Sequence, residues 1–237
     1  MKAEQIMARL TGVFMESLKM RHTAITGATR CGKTYLVGHI LEELQNDGVH
    51  TIFVDPKHDS DYENLGEVCT TPMQVYAKLM AKCPRIVFRT DTDDCVESLD
   101  KVIRLLVELQ RTDGFKRIRR VIAIDEIQTY VGKGKMKAVE MIWTMGAGIG
   151  IVGMALTQRL QLLNETVWSQ SENRIMFRME ESMKYFKDKG VEHYPMDELR
   201  DDMNKYYFYA TTGGGNWKMH DPIDKSKWQG PLTLSRW

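Results

Sequence analysis

A chain of 237 residues, 43% apolar and 27% charged, can bury one substantial core and has the composition of a globular domain. A net charge of +1 excludes a wholly basic nucleic-acid binder, although lysines and arginines can still gather on one face. The four cysteines form no C-x-x-C pair and no run approaches the ~18 apolar residues of a membrane span, so zinc and membrane insertion are not expected and a cytoplasmic setting with reduced thiols is.

Ile6, Leu10, Val13, Phe14 and Leu18 recur at helical spacing, which predicts an N-terminal amphipathic helix over 1–20, too charged for a signal peptide. A short strand at 22–26 leads into a glycine loop, and the next helix carries Leu36, Val37, Ile40, Leu41 and Leu44 on one face before stopping at 46–48. Residues 50–56 read as a buried strand closed by Pro56. Thr71 and Pro72 start a helix to about Lys82 by the N-cap and Pro-at-N1 preferences. A strand at 85–89, a helix through Leu99, Val102, Ile103 and Leu106, and a continuous apolar strand at 120–125 follow. Beyond it come a helix with Val139, Ile142 and Met145, a strand at 150–156, a helix near 160–170, a strand at 173–179, two short helical stretches and a strand at 205–211. Apolar strands alternating with helices predict an α/β domain whose central sheet is mostly parallel and covered on both faces. The expected division is the helix at 1–20, one domain at 21–211 and an extended tail at 212–237 holding Trp228 and Trp237.

The stretch GATRCGKT at 27–34 fits the phosphate-binding loop G-x-x-x-x-G-K-[ST] and lies between a strand and a helix, as that mechanism requires. Gly27 and Gly32 let the backbone curl so that the N–H groups of Ala28, Thr29, Arg30, Cys31 and their neighbours cradle an anion at the helix N-terminus. Lys33 would reach the β- and γ-phosphates of ATP, and the Thr34 hydroxyl would hold Mg2+. Cys31, beside a helix start and two cations, is expected to lose its proton easily and to be protected from alkylation by Mg-ATP. The strand at 121–124 ends in Asp125 and Glu126, at the edge where open α/β sheets bind ligands. Asp125 would hold Mg2+ through water, and Glu126 would orient or deprotonate the attacking water, unless it is simply an acid favoured at a helix start. At the end of the strand at 150–156, Gln158 would face the γ-phosphate if that strand neighbours the loop strand; helix capping by Thr157 is the alternative.

Taken in order, GATRCGKT, FVDPKHD (53–59), IVFRT (86–90), IAIDE and ALTQR resemble the FtsK/HerA superfamily of DNA-pumping ATPases over roughly residues 22–211. The resemblance implies an additional-strand P-loop fold and a homo-oligomeric ring, usually hexameric, with ATP between subunits and an arginine given to the neighbour's site. Arg89 matches the position that often supplies it, with Thr90 where proline is common; Arg159 and Arg30 are the rivals. A chain of this size resembles the genome-packaging ATPases of internal-membrane icosahedral viruses, which implies double-stranded DNA as substrate, a capsid portal or vertex as partner, and host cytoplasm or virion as location. A plasmid or mobile-element DNA-transfer ATPase and a nucleotide-dependent assembly switch are the alternatives. Lys133, Lys135 and Lys137 sit among glycines just past the acidic strand end, where a basic loop could meet DNA or simply be solvated. The cluster FKRIRR at 115–120 falls at the opposite end of its strand from the nucleotide and reads as an outer or docking face.

Overall fold

The computed structural model describes residues 14–58, 60–90, 94–131, 137–191, 194–201, 203, 206–212 and 217–220. Residues 1–13 of the helix expected over 1–20, Lys133 and Lys135, and Trp228 and Trp237 lie outside the described residues. In chain order come α1 (Met15–Leu18), β1 (Thr23–Thr26), α2 (Lys33–Asn46), β2 (His50–Val54), β3 (Glu67–Cys69), α3 (Pro72–Met80), β4 (Arg85–Phe88) and α4 (Cys95–Gln110). Then follow β5 (Arg120–Ile124), α5 (Lys137–Met141), β6 (Ile151–Thr157), α6 (Glu165–Gln170), β7 (Asn173–Phe177), α7 (Met183–Asp188), α8 (Met196–Arg200), β8 (Phe208–Thr211) and β9 (Lys218–His220).

The strands form one sheet in the order β3-β4-β2-β5-β6-β1-β7-β8-β9. Pairing is parallel from β3 through β7, and β8 and β9 then add antiparallel edges. The central strands are buried along their whole length, β5 as five and β6 as seven consecutive buried residues, because helices cover both faces. One apolar layer gathers α2 with Phe14 and Leu18, whereas the other packs α3, α4 and α5 against Ile122, Ile124 and Ala155. The α3 start is a full capping box: Thr71 Oγ1 accepts from Gln74 N–H at 3.3 Å, and the Gln74 side chain accepts from Thr71 N–H at 3.3 Å.

Several expected elements differ. The helix expected through Met145 is α only to Met141; Ile142–Gly146 continues as a π turn, and Met145 points to solvent. Gly146 crosses so close to β6 that a Cβ would lie 2.7 Å from Ile151 O, and a Cβ on Gly153 would meet the Trp143 ring at 2.7 Å. The helix expected near 160–170 splits into a 3-10 turn, Leu160–Leu162, and α6, whose start Asn164 caps through Thr166 N–H at 2.8 Å. Within the C-terminal segment, Lys218–His220 pairs with β8 as the edge strand of the sheet.

Candidate active site

Strand order sets the site. β6 lies between β1 and β5, and its register puts Thr157 opposite Thr26, the last residue before the glycine loop. The condition placed on Gln158 is therefore met: its strand neighbours the loop strand, and its backbone leaves the sheet beside the loop.

The loop is fastened from both sides. Gly27 N–H donates to Thr157 O at 3.2 Å and Ala28 N–H to Arg178 O at 2.8 Å, so the ends of β6 and β7 hold its entrance. Gly27 has no room for a side chain, because a Cβ would lie 2.6 Å from Phe177 Cβ. Arg30 (φ 61°) and Gly32 (φ 101°) occupy left-handed conformations, the kind of turn that aims successive N–H groups at an anion. The Lys33 ammonium folds over the loop to Gly27 O at 2.5 Å and Ala28 O at 2.8 Å, keeping a positive charge at its mouth. Thr29 and Arg30 are exposed there, and the Thr34 hydroxyl accepts from Tyr62 O–H at 2.9 Å.

Cys31 is corrected by the structure. Its thiol is buried beneath the loop, and burial, the dominant influence, pushes its pKa up despite Lys33 Nζ at 3.9 Å. Only the Cys31 backbone is placed to serve the loop. Native protein at neutral pH is therefore expected to resist maleimide labelling at Cys31 with or without Mg-ATP, and denaturant should release the reaction. Mass spectrometry of the 31-containing peptide is the check, and rapid labelling of native protein would contradict this placement.

Asp125 and Glu126 end β5 side by side. Burial pushes the Asp125 carboxyl up to about 6, with Lys57 opposing it, and its Oδ1 accepts Glu126 N–H at 2.9 Å. Glu126 has φ 45°, a left-handed conformation that costs a side-chain-bearing residue and is typical of functional positions. Its Oε1 accepts from both Lys57 Nζ and Gln158 Nε2, and its Oε2 accepts from Gln128 Nε2. Burial acts to raise its pKa, but the hydrogen bonds from Lys57, Gln128 and Gln158 together outweigh burial and hold it below the usual carboxylate range. Gln158 also accepts from Thr29 Oγ1 at 3.0 Å, so one amide joins the glycine loop to the acidic strand end. The turn after Gln158 is held by buried Glu181, whose carboxylate accepts Leu160 N–H at 2.7 Å and Gln161 N–H at 2.9 Å.

Lys57 and Glu181 escaped the sequence reading. The Asp55-Pro56-Lys57 turn was visible as a motif but not as part of the site, and nothing local marks Glu181 as an anchor. Arg89 is also placed differently from a residue offered to a neighbouring subunit. It is 9% exposed, with Nε on Asp55 Oδ2 at 3.0 Å and Nη1 on Glu63 Oε1 at 3.1 Å, so its charge is used inside the subunit. Arg30 and Arg159 reach solvent. Lys137 is exposed at the start of α5.

The Thr34 hydroxyl and the Asp125 carboxylate are hard oxygen donors of the type Mg2+ accepts. Among the described residues no group of three or more His, Cys, Asp or Glu gathers as a metal cage. No helix of the described residues is long and apolar enough to cross a membrane.

Residues 14–146 match the family of ATPase domains found predominantly in Archaea, and the chain belongs to that family. It is a P-loop ATPase. No curated protein matches it in sequence. In fold it is similar to the genome packaging NTPase B204 of Sulfolobus turreted icosahedral virus 2 bound to sulfate: TM-score 0.71, 17% identity, covering 87% of this chain and 98% of that one. It is also similar to the pCW3 conjugation coupling protein TcpA (TM-score 0.59, 16% identity, 88% of this chain and 62% of that one). VirB4 of Thermoanaerobacter pseudethanolicus gives a TM-score of 0.61 at 10% identity, covering 88% and 90%. The expected mostly parallel P-loop fold thus agrees with what the chain is similar to.

Proposed function

Starting from that membership, we propose that this ATPase is a motor that translocates double-stranded DNA, of the kind that packages a viral genome into a preformed capsid. The observation that carries the reading is the overlay with the viral packaging NTPase, which takes in nearly the whole of that protein. In this proposal the loop from Gly27 to Thr34 grips the phosphates, Lys33 neutralises their charge, and Thr34 and Asp125 hold Mg2+, which would offset charge on the phosphates. Glu126 takes the proton of the attacking water, and Gln158, touching both the loop and Glu126, reports the state of one to the other. Subunits assemble as a ring, read as a hexamer, docked on a capsid vertex, in host cytoplasm or on the virion. Because Arg89 is tied to Asp55, an arginine given to a neighbour's site falls to Arg30 or Arg159.

The overlay with a conjugation coupling protein supports a second reading, a DNA-transfer motor of a mobile element. Steady-state ATP turnover at low salt, with and without 1-kb linear duplex or single-stranded DNA, tests both. Stimulation by duplex of any sequence is the expected result. Stimulation by single strands alone would favour transfer over packaging, and indifference to both would leave an assembly switch and overturn the motor.

A further inference from the structure

β5 carries Asp125 and Glu126 past its carboxyl end, and the cluster 115–119 leads into its amino end. Five strand residues separate the two by roughly 17 Å. At that far end lies a groove of about 750 Å3 bounded by the end of α1, the end of α4, the 116–119 stretch and the 147–150 turn. It shares Lys19, Met20, Arg117, Ile118 and Arg119 with an adjoining hollow of about 500 Å3, so the two form one continuous channel. We propose that this channel binds the phosphate backbone of double-stranded DNA, as a second contact site separate from the ATP site; the inference rests on the DNA-motor reading.

Charge is the first argument. Five cations line the channel, Lys19, Arg111, Lys116, Arg117 and Arg119, against two acids, Glu16 and Asp47. Both acids are already engaged by Lys19, at 2.6 and 2.8 Å, and Lys116 pairs with Asp113 at 2.6 Å. Arg117 and Arg119 are exposed and make no ion pair among the described residues. Their guanidinium charges are available to an anion, and guanidinium is the group best shaped to grip phosphate in two-point contact.

The second argument is that the cations stand on a fixed frame. Gln110 Nε2 donates to Ile118 O at 2.7 Å and Phe115 O at 3.3 Å, while buried Arg120 donates to Gln110 and lies 5.7 Å from the Phe115 ring centroid. Phe115 and Lys116 N–H groups both donate to Thr112 O at 3.0 Å, and Ile118 N–H to Phe115 O at 2.9 Å. A buried amide and a buried guanidinium thus hold the turn that displays Arg117 and Arg119. On the opposite wall Gly148 presents bare backbone, and a Cβ there would have nothing within 4 Å.

The third argument selects duplex over single strand. Among the described residues no Phe, Tyr or Trp lines either hollow, so the lining offers cations for phosphate and not the aromatic platforms typical of single-strand binders. Contacts limited to phosphate fit a partner read without sequence.

The test uses full-length protein with Arg117→Glu/Arg119→Glu, alongside Arg117→Lys/Arg119→Lys and Arg117→Gln/Arg119→Gln. Binding of a fluorescent 30-bp duplex is followed by anisotropy across a salt series, with ATP turnover without DNA as the folding control. Turnover is expected to be unchanged in all three. Duplex affinity should fall at least about tenfold in the Glu pair and recover in the Lys pair. The slope of log K against log salt should become shallower by about two in the Gln pair. Wild-type affinity and slope in the Glu pair would overturn the groove while leaving the motor intact. A wild-type protein that binds no duplex would sink both. Loss of polyglutamate binding with duplex binding intact would reassign the channel to an acidic protein and also overturn the proposal.

Discussion

Replacing Glu126 with glutamine is expected to lower ATP turnover by roughly 10²–10⁴-fold while leaving nucleotide affinity intact. In the proposed site the glycine loop and Lys33 grip the phosphates, and Lys33 bonds to the loop carbonyls and not to Glu126, so binding should survive. What disappears is the carboxylate that three donors hold in place, Lys57 and Gln158 on Oε1 and Gln128 on Oε2. Those donors keep Glu126 ionised below its ordinary range, so the base is ready at neutral pH. Oε1 carries two donors and Oε2 one, so the remaining acceptor position, on Oε2, is the one open to the attacking water. Gln158 ties that carboxylate to the loop, because Thr29 holds its other end. Equilibrium binding of a fluorescent ATP analogue, set beside single-turnover hydrolysis, separates the two quantities; a matching loss in both would mean that Glu126 shapes the pocket and is not the base. Glutamine keeps the left-handed strain at φ 45°, so Glu126→Gly should be equally inactive and at least as stable. In a ring, Glu126→Gln subunits mixed into wild type should depress turnover more than in proportion to their share. Proportional dilution would mean subunits that work independently.

Much of this site was legible because its motifs are local. A glycine loop between strand and helix, and two acids after four apolar residues, each have a mechanism that demands those residues in that order. The placement of Gln158 was conditional on strand order, which periodicity cannot supply; pairing of β6 with β1 resolves it. Long-range partners had no signal at all. Lys57 meets Glu126 across 69 residues, and Glu181 reaches back to Leu160 after a whole strand has intervened. Cys31 was misread because proximity to cations was visible whereas burial under the loop was not, and burial dominates its thiol. β9 is three residues long, too short for alternation to show, and the π turn exists only because Gly146 and Gly153 let backbone and Trp143 close on β6. Arg89 illustrates the same limit: its position at a strand end was readable, but not the direction in which its side chain turns.

Arg89→Ala is expected to destabilise the fold by about 3–5 kcal/mol, because Asp55 is fully buried and would lose the guanidinium that pairs its carboxyl group. For a domain of this size that corresponds to a fall in Tm of roughly 6–20 °C. A residue whose only task lay in a neighbour's active site would leave Tm unchanged, so differential scanning calorimetry of the separated subunit distinguishes the two roles before any activity is measured. Loss of hydrolysis in the single variant is uninformative by itself, since Asp55 Oδ1 also accepts the Lys57 N–H at 3.2 Å and collapse there would disturb the cation on Glu126. The double variant Asp55→Asn/Arg89→Met removes both buried charges and keeps an oxygen for that N–H. Its Tm should return most of the way to wild type, because two matched neutral groups carry no uncompensated charge. Hydrolysis should return with it if Arg89 serves to hold the Asp55–Lys57 turn under Glu126. If the double variant is stable, binds ATP and still fails to hydrolyse it, the guanidinium itself is needed at an active site, and Arg89 would have to leave Asp55 to reach a neighbour. A wild-type Tm for Arg89→Ala would remove the buried pair from the account of stability altogether.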